Sequence, residues 1–252
     1  MRRTGAVLPL CLIAGAVLLA CVDIPTGEDD LLSFQFDPLP SPSVVAGDTL
    51  RDSSGVAAPL SVTAFNYSGG IVTSPGVRFR ALDTRIRVDS LTGVVTGDSA
   101  SSTSSRILAT IDDFTGLISL PVVLRPDTVL GSNARDTLSY SLTDTAANVS
   151  NAIGVRVLHG PAAGDSAVRS FRVTFEVLAP SDTALARLVD DAGRRSPADT
   201  TDASGIAARR IRLNVTRLTA AVDSVIVRAN VRYRGQHVGG SPMRLVLNLK
   251  PK

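Results

Sequence analysis

From residue 171 onward, side chains change sides at every step: Phe171, Val173, Phe175 and Val177 alternate with Arg172, Thr174 and Glu176. Only an extended strand places successive residues on opposite faces, and a strand with one oily and one polar face belongs in an antiparallel sheet with one side against a core. The device recurs. Val225, Val227, Ala229, Val231 and Tyr233 alternate with Arg228, Asn230 and Arg232, and the sets Ile211, Leu213, Val215 and Leu245, Leu247, Leu249 follow the same rule. No stretch of the chain after residue 42 carries a sustained 3.6-residue period, so helices are not expected to build this fold.

The first half uses the same alternation in shorter runs. Expected strands are Leu60 to Tyr67, Val77 to Leu82, Ile86 to Asp89, Val94-Val95, Ile107 to Ile111 and Leu117 to Leu124. Turn-forming residues separate them at Ser68-Gly69-Gly70, Ser74-Pro75-Gly76, Thr92-Gly93 and Thr96-Gly97-Asp98. Many short strands at this spacing predict an all-β chain: two antiparallel β-sandwich domains in tandem, residues 43–126 and 127–252, divided near Arg125-Pro126-Asp127. The polar run Val189 to Ser204 reads as an exposed loop.

Residues 1–42 follow a different grammar. Met1-Arg2-Arg3 precedes an apolar run from Ala6 to Ala20 that is too short for the roughly 20 residues of a membrane span, so residues 1–20 read as an export signal. Leu18-Leu19-Ala20-Cys21 resembles the bacterial lipobox, which implies a lipoprotein signal peptide and a diacylglycerol (with palmitate-type chains) on the Cys21 sulfur. Two or three acyl chains on one residue give a stable anchor where one does not. Val22 stands where, in the sorting pattern this resembles, an Asp would retain the protein at the inner membrane; its presence points to the outer membrane. Residues 21–42, acidic at first and ending in Asp37-Pro38-Leu39-Pro40-Ser41-Pro42, read as a flexible tether.

Charge and cysteine content narrow the chemistry. Without Arg2 and Arg3 the 26 basic residues fall to 24 against 23 acidic ones, and the only lysines are Lys250 and Lys252. Nothing in this balance predicts a nucleic-acid partner. Cys11 lies in the signal and Cys21 under the lipid, so the sandwiches contain no thiol for a disulfide, a zinc site or a nucleophile.

Gly97-Asp98-Ser99 and Gly164-Asp165-Ser166 both spell a triplet used by one group of hydrolases, but that chemistry needs an Asp three residues before a late histidine, and Arg234 stands three before His237. No catalytic residue and no cofactor is assigned. His159 and His237 sit beside glycine turns and read as strand-end residues. Among acidic positions, Asp190, Asp191, Asp199 and Asp202 are weak candidates for a cation, with Asp112-Asp113 and Asp127 behind them; their spacing matches no calcium loop, and turns favour Asp in any case. Sugar stacking is disfavoured by the lack of Trp. Arg228, Arg232 and Arg234 form a basic stripe that reads as a solvated face.

Longer patterns carry a resemblance. "RFRALDTRIRVDSLTGVVTG", "RILATIDD" and "LPVVLRP" in the first half, and "VRSFRVTFEVLAP", "ADTTDASGIAARRIRLNV" and "VIVRANVRYRG" in the second, resemble bacterial Ig-like repeats, the latter set those of the invasin and intimin type. The first half departs by lacking a Trp on its third strand, with Phe79 as the substitute. The resemblance implies a non-catalytic, lipid-anchored cell-envelope protein displaying Ig-like domains for adhesion or protein contacts at the surface. Its expected partners are the membrane and an unidentified protein or cell surface. The alternative is an accessory or ligand-binding module facing the periplasm.

Overall fold

The computed structural model describes residues 30–73, 75–160, 166–219 and 221–252. Among them there is no α-helix; two single 3₁₀ turns, Thr145–Ala147 and Val215–Arg217, interrupt an otherwise all-β chain.

In the first half, β1 (Leu31–Phe36) pairs antiparallel with β3 (Val62–Asn66), and the short β2 (Val44–Val45) runs parallel to β9 (Val122–Val123). A three-stranded sheet orders β4 (Arg78–Ala81), β7 (Ser105–Ile111) and β8 (Phe114–Leu120), and β5 (Ile86–Val88) pairs with β6 (Val95–Gly97). Val44, Leu50, Leu60, Phe79, Ile86, Val95, Ile107, Leu120 and Val122 close one core. Gly93, at φ +70, passes so near Phe79 and the Leu60 carbonyl that a larger residue would not fit.

The second half is a two-layer sandwich. One sheet orders β10 (Thr128–Ser132), β12 (Ile153–His159), β17 (Ile206–Leu213) and β15 (Ala186–Val189), with β13 (Ser166–Ala167) on the far end of β12. The other orders β11 (Arg135–Tyr140), β21 (Met243–Pro251), β18 (Ser224–Asn230), β14 (Arg172–Ala179) and β16 (Ala198–Thr200). Alternation decides which side faces in: Val173 and Phe175 are buried while Arg172, Thr174 and Glu176 are exposed, and Val225, Val227 and Ala229 meet them from β18. Val45 and Val123 of the first half join this second core, so apolar packing continues across the junction.

Three expectations change. The tether does not extend to residue 42, because Phe34 and Phe36 pack on the first core and draw 31–36 into a strand; the prolines that follow mask that short aromatic alternation in the sequence. Antiparallel pairing is not universal, since β2–β9 and β11–β21 are parallel. The polar run from 189 to 204 is a loop only in part: Ala198–Thr200 pairs with β14 because Asp199 and Thr201 make hydrogen bonds that solvent would otherwise supply. The signal segment, Cys21 and the residues up to 29 lie outside the described residues.

Candidate functional site

The densest polar construction joins the two halves. After β2 the chain turns at Gly47, whose φ of +76 suits glycine, and delivers Asp48 into a site where its side chain is only 4% exposed. Oδ1 of Asp48 accepts from Arg51 Nη2 and from the Thr49 amide, each at 2.8 Å. Oδ2 accepts from Arg51 Nε and, across the junction, from Arg234 Nε, each at 2.9 Å. The Tyr233 hydroxyl adds a further hydrogen bond. Burial pushes the Asp48 carboxyl up, but the hydrogen bonds from Arg51, Arg234, Tyr233 and Thr49 outweigh it and hold the group well below the usual carboxylate range. The Tyr233 hydroxyl moves the other way, raised first by burial and then by its bond to Asp48.

Arg234 reaches Asp48 because of the hairpin that carries it. β19 (Arg232–Tyr233) and β20 (Gln236–His237) are joined by the two residues Arg234 and Gly235, with φ of +50 and +76, the doubly left-handed pattern of a type I′ turn. The turn lies directly on the loop 52–55: a Cβ at Gly55 would run into the backbone nitrogen of Gly235. Arg51 Nη1 donates to the Gly55 carbonyl at 2.9 Å, and the Arg234 guanidinium sits 5.4 Å from the centre of the Tyr233 ring. Elsewhere on the junction, Arg169 donates to the Ser101 carbonyl.

Beside this clasp lies a cavity of about 90 Å³ whose walls include Ser43, Val45, Asp48, Phe171 and Asn230. Ser43 Oγ is buried with no protein partner. The volume suits about three waters at ~30 Å³ each, far from the several hundred Å³ of a typical ligand pocket.

Asp190, Asp191, Asp199 and Asp202, the weak cation candidates of the sequence, line one open hollow of about 640 Å³. Each is already engaged. Asp190 accepts from Arg194 Nε at 2.9 Å and Asp191 from Arg210 Nε at 3.0 Å, while Asp199 forms an ion pair with Arg209 Nη1 at 2.9 Å and accepts from the Ala208 amide at 2.8 Å. Asp202 closes its own turn through the Ser204 and Ile206 amides. Among the described residues no three His, Cys, Asp or Glu side chains gather as metal ligands.

The serines tested for nucleophilic chemistry are exposed. His159 Nδ1 stands 2.7 Å from Asp127 Oδ2, and Ser166 lies opposite His159 in the β12–β13 register. No hydrogen bond joins Ser166 to His159 among the described residues, and Asp127 is shared with Arg125 and the Gly160 amide. His237 sits exposed in the junction hairpin. In the basic stripe, Arg228 pairs with Glu176 at 2.6 Å as expected of a solvated face, whereas Arg234 is drawn into the clasp. Asp48 and Arg51 carry no sign of this role in the sequence, and Tyr233 reads there only as a strand residue, since a contact across 186 positions leaves no local trace; the Arg-Gly pair between alternating runs is the one legible sign of the hairpin.

No protein-family model matches the chain, and no curated protein matches it in sequence. Solved structures with similarity in part include domains 4 and 5 of the S-layer protein SbsC, at 13% identity and a TM-score of 0.32, covering 88% of this chain and 99% of that one. Human protocadherin-24 EC1-2 gives 13% identity and a TM-score of 0.28 over 88% and 100%. Drosophila OTK extracellular domains 3–5 give 12% and 0.28 over 87% and 61%.

Proposed function

We propose that this chain is a lipid-anchored envelope protein that carries two Ig-like β-sandwich units, divided near residue 126, for adhesion or contact with surface proteins, and that it performs no catalysis. The observation that carries this reading is the clasp at Asp48. A buried carboxylate gripped from both halves of the chain, with glycines in backbone contact beside it, fixes the direction of one unit relative to the other, and a fixed direction serves a protein whose task is to present a surface at a distance from its anchor. Arginine-engaged aspartates and exposed, unassisted serines support the absence of catalysis. The lipobox at Leu18-Leu19-Ala20-Cys21 supports the anchor, and Val22 supports the outer membrane.

Membrane fractionation of cells making the Cys21→Ser chain tests the anchor: the substituted protein should appear in soluble fractions, and undiminished membrane retention would refute lipidation. Protease treatment of intact cells tests the direction of display. Shaving of both units is expected, and full protection would place them in the periplasm as an accessory module.

A further inference from the structure

The sheet β4–β7–β8 ends in two very different edges. At one, β4 is short and carries the exposed charges Arg78 and Arg80, both of which discourage a visiting strand. At the other, β8 presents Phe-Thr-Gly-Leu-Ile-Ser-Leu, seven residues with no charge and no proline. A two-residue turn at Asp112-Asp113 closes the β7–β8 hairpin, which makes Ile111 and Phe114 a hydrogen-bonded pair and turns the amides and carbonyls of Thr115, Leu117 and Ser119 away from β7. No hydrogen bond of the described residues reaches those three. β1 lies close by but makes no hydrogen bond to them: it pairs with β3, and its Phe34 ring packs on the core side of Gly116. Leu117 is 55% exposed on the outer face, beside its β7 neighbour Leu108.

We propose that the free edge of β8 pairs with β8 of a second copy of this chain, antiparallel and centred on Leu117, joining two three-stranded sheets into one. About that centre Leu117 meets Leu117, and Thr115 meets Ser119 on either side. Every rung is uncharged, so self-pairing brings no like charges together. The nearest guanidinium, on Arg106 opposite Ser119, is occupied by Asp83 at 3.3 Å. The single exposed leucine at the symmetry centre also fixes the register, because any slip leaves both copies of it facing a Thr or Ser, or water. A different protein's strand would find no charge or pocket on this edge to set its register, which is why a second copy is the favoured occupant.

Cysteine cross-linking reads this register directly. In the full chain with Cys11→Ser and Cys21→Ser, so that neither a native thiol nor a lipid contributes, Leu117→Cys places two thiols on Cα atoms about 5.5 Å apart, inside the range a disulfide spans. Mild oxidation followed by non-reducing electrophoresis should give a disulfide dimer for Leu117→Cys and little for Leu91→Cys, although Leu91 is the more exposed of the two. Thr115→Cys and Ser119→Cys should each link poorly alone and well when mixed. Adding Thr115→Lys and Ser119→Lys to Leu117→Cys should abolish the dimer while the circular dichroism spectrum stays that of the parent. Equal linking at positions 117 and 91 would overturn the pairing, and self-linking of Thr115→Cys as strong as that of Leu117→Cys would overturn the register.

Discussion

Replacing Asp48 with alanine isolates the energetics of the junction. The carboxylate is almost wholly excluded from water and serves two guanidiniums, one amide and one phenol. Removing one member of a buried ion pair costs about 3–5 kcal/mol when the survivor stays buried. Here the survivors are partly wet, since the Arg51 and Arg234 side chains are 27% and 53% exposed. Both can recover some hydration, which brings the expected loss down to about 2–3 kcal/mol. The same exposures rank the partners: Arg51→Ala, which removes two hydrogen bonds to Asp48 from the drier side and a third to the Gly55 carbonyl, should cost more than Arg234→Ala, which removes one. Urea unfolding followed by far-UV circular dichroism measures each loss, and a double-mutant cycle between Asp48→Asn and Arg234→Gln isolates the bond that crosses the junction, which should show as a favourable coupling between the two substitutions. If Asp48→Ala changes stability by less than about 0.5 kcal/mol, the carboxylate behaves like an ordinary surface group and the clasp carries no weight.

The depressed Asp48 titration gives a pH signature: its stabilisation is complete above the unfolded-state value of about 3.9 and disappears as pH falls through the lower folded value, so thermal melting should hold steady from neutrality to about pH 5 and decline below pH 4 less steeply in Asp48→Asn than in the parent. Gly55→Ala should damage the junction far more than Gly47→Ala, because both glycines have positive φ but only Gly55 has the backbone of Gly235 in the space a methyl would take; equal melting temperatures would contradict the close approach. Phe175→Asp should unfold the second core by burying an unpaired charge, whereas Thr174→Asp, on the exposed side of the same strand, should fold; the opposite ranking in circular dichroism would mean that the faces of β14 are inverted.

What the sequence disclosed and what it withheld divide along the range of the forces involved. Alternation is a local property, written two residues at a time, and the strands it predicts at Phe171 to Val177 and Ile107 to Ile111 stand in the structure with the expected sides turned inward, whereas the strand predicted from Val225 to Tyr233 ends at Asn230 and Arg232–Tyr233 belongs to a separate hairpin. The strand at Leu31–Phe36 was equally local in its Phe34-Phe36 spacing, yet it sits among acidic residues and prolines whose averaged composition concealed it. Ion pairs obey no such locality. Nothing near Asp48 names Arg234, and nothing near Asp191 names Arg210; the pairs form because sheets stacked for apolar reasons happen to bring these groups within reach, and burial then selects which of them endure. A carboxylate at 4% exposure survives only with its partners in place, so Asp48 is where the long-range arrangement of this fold is most constrained and where a single substitution should reveal it.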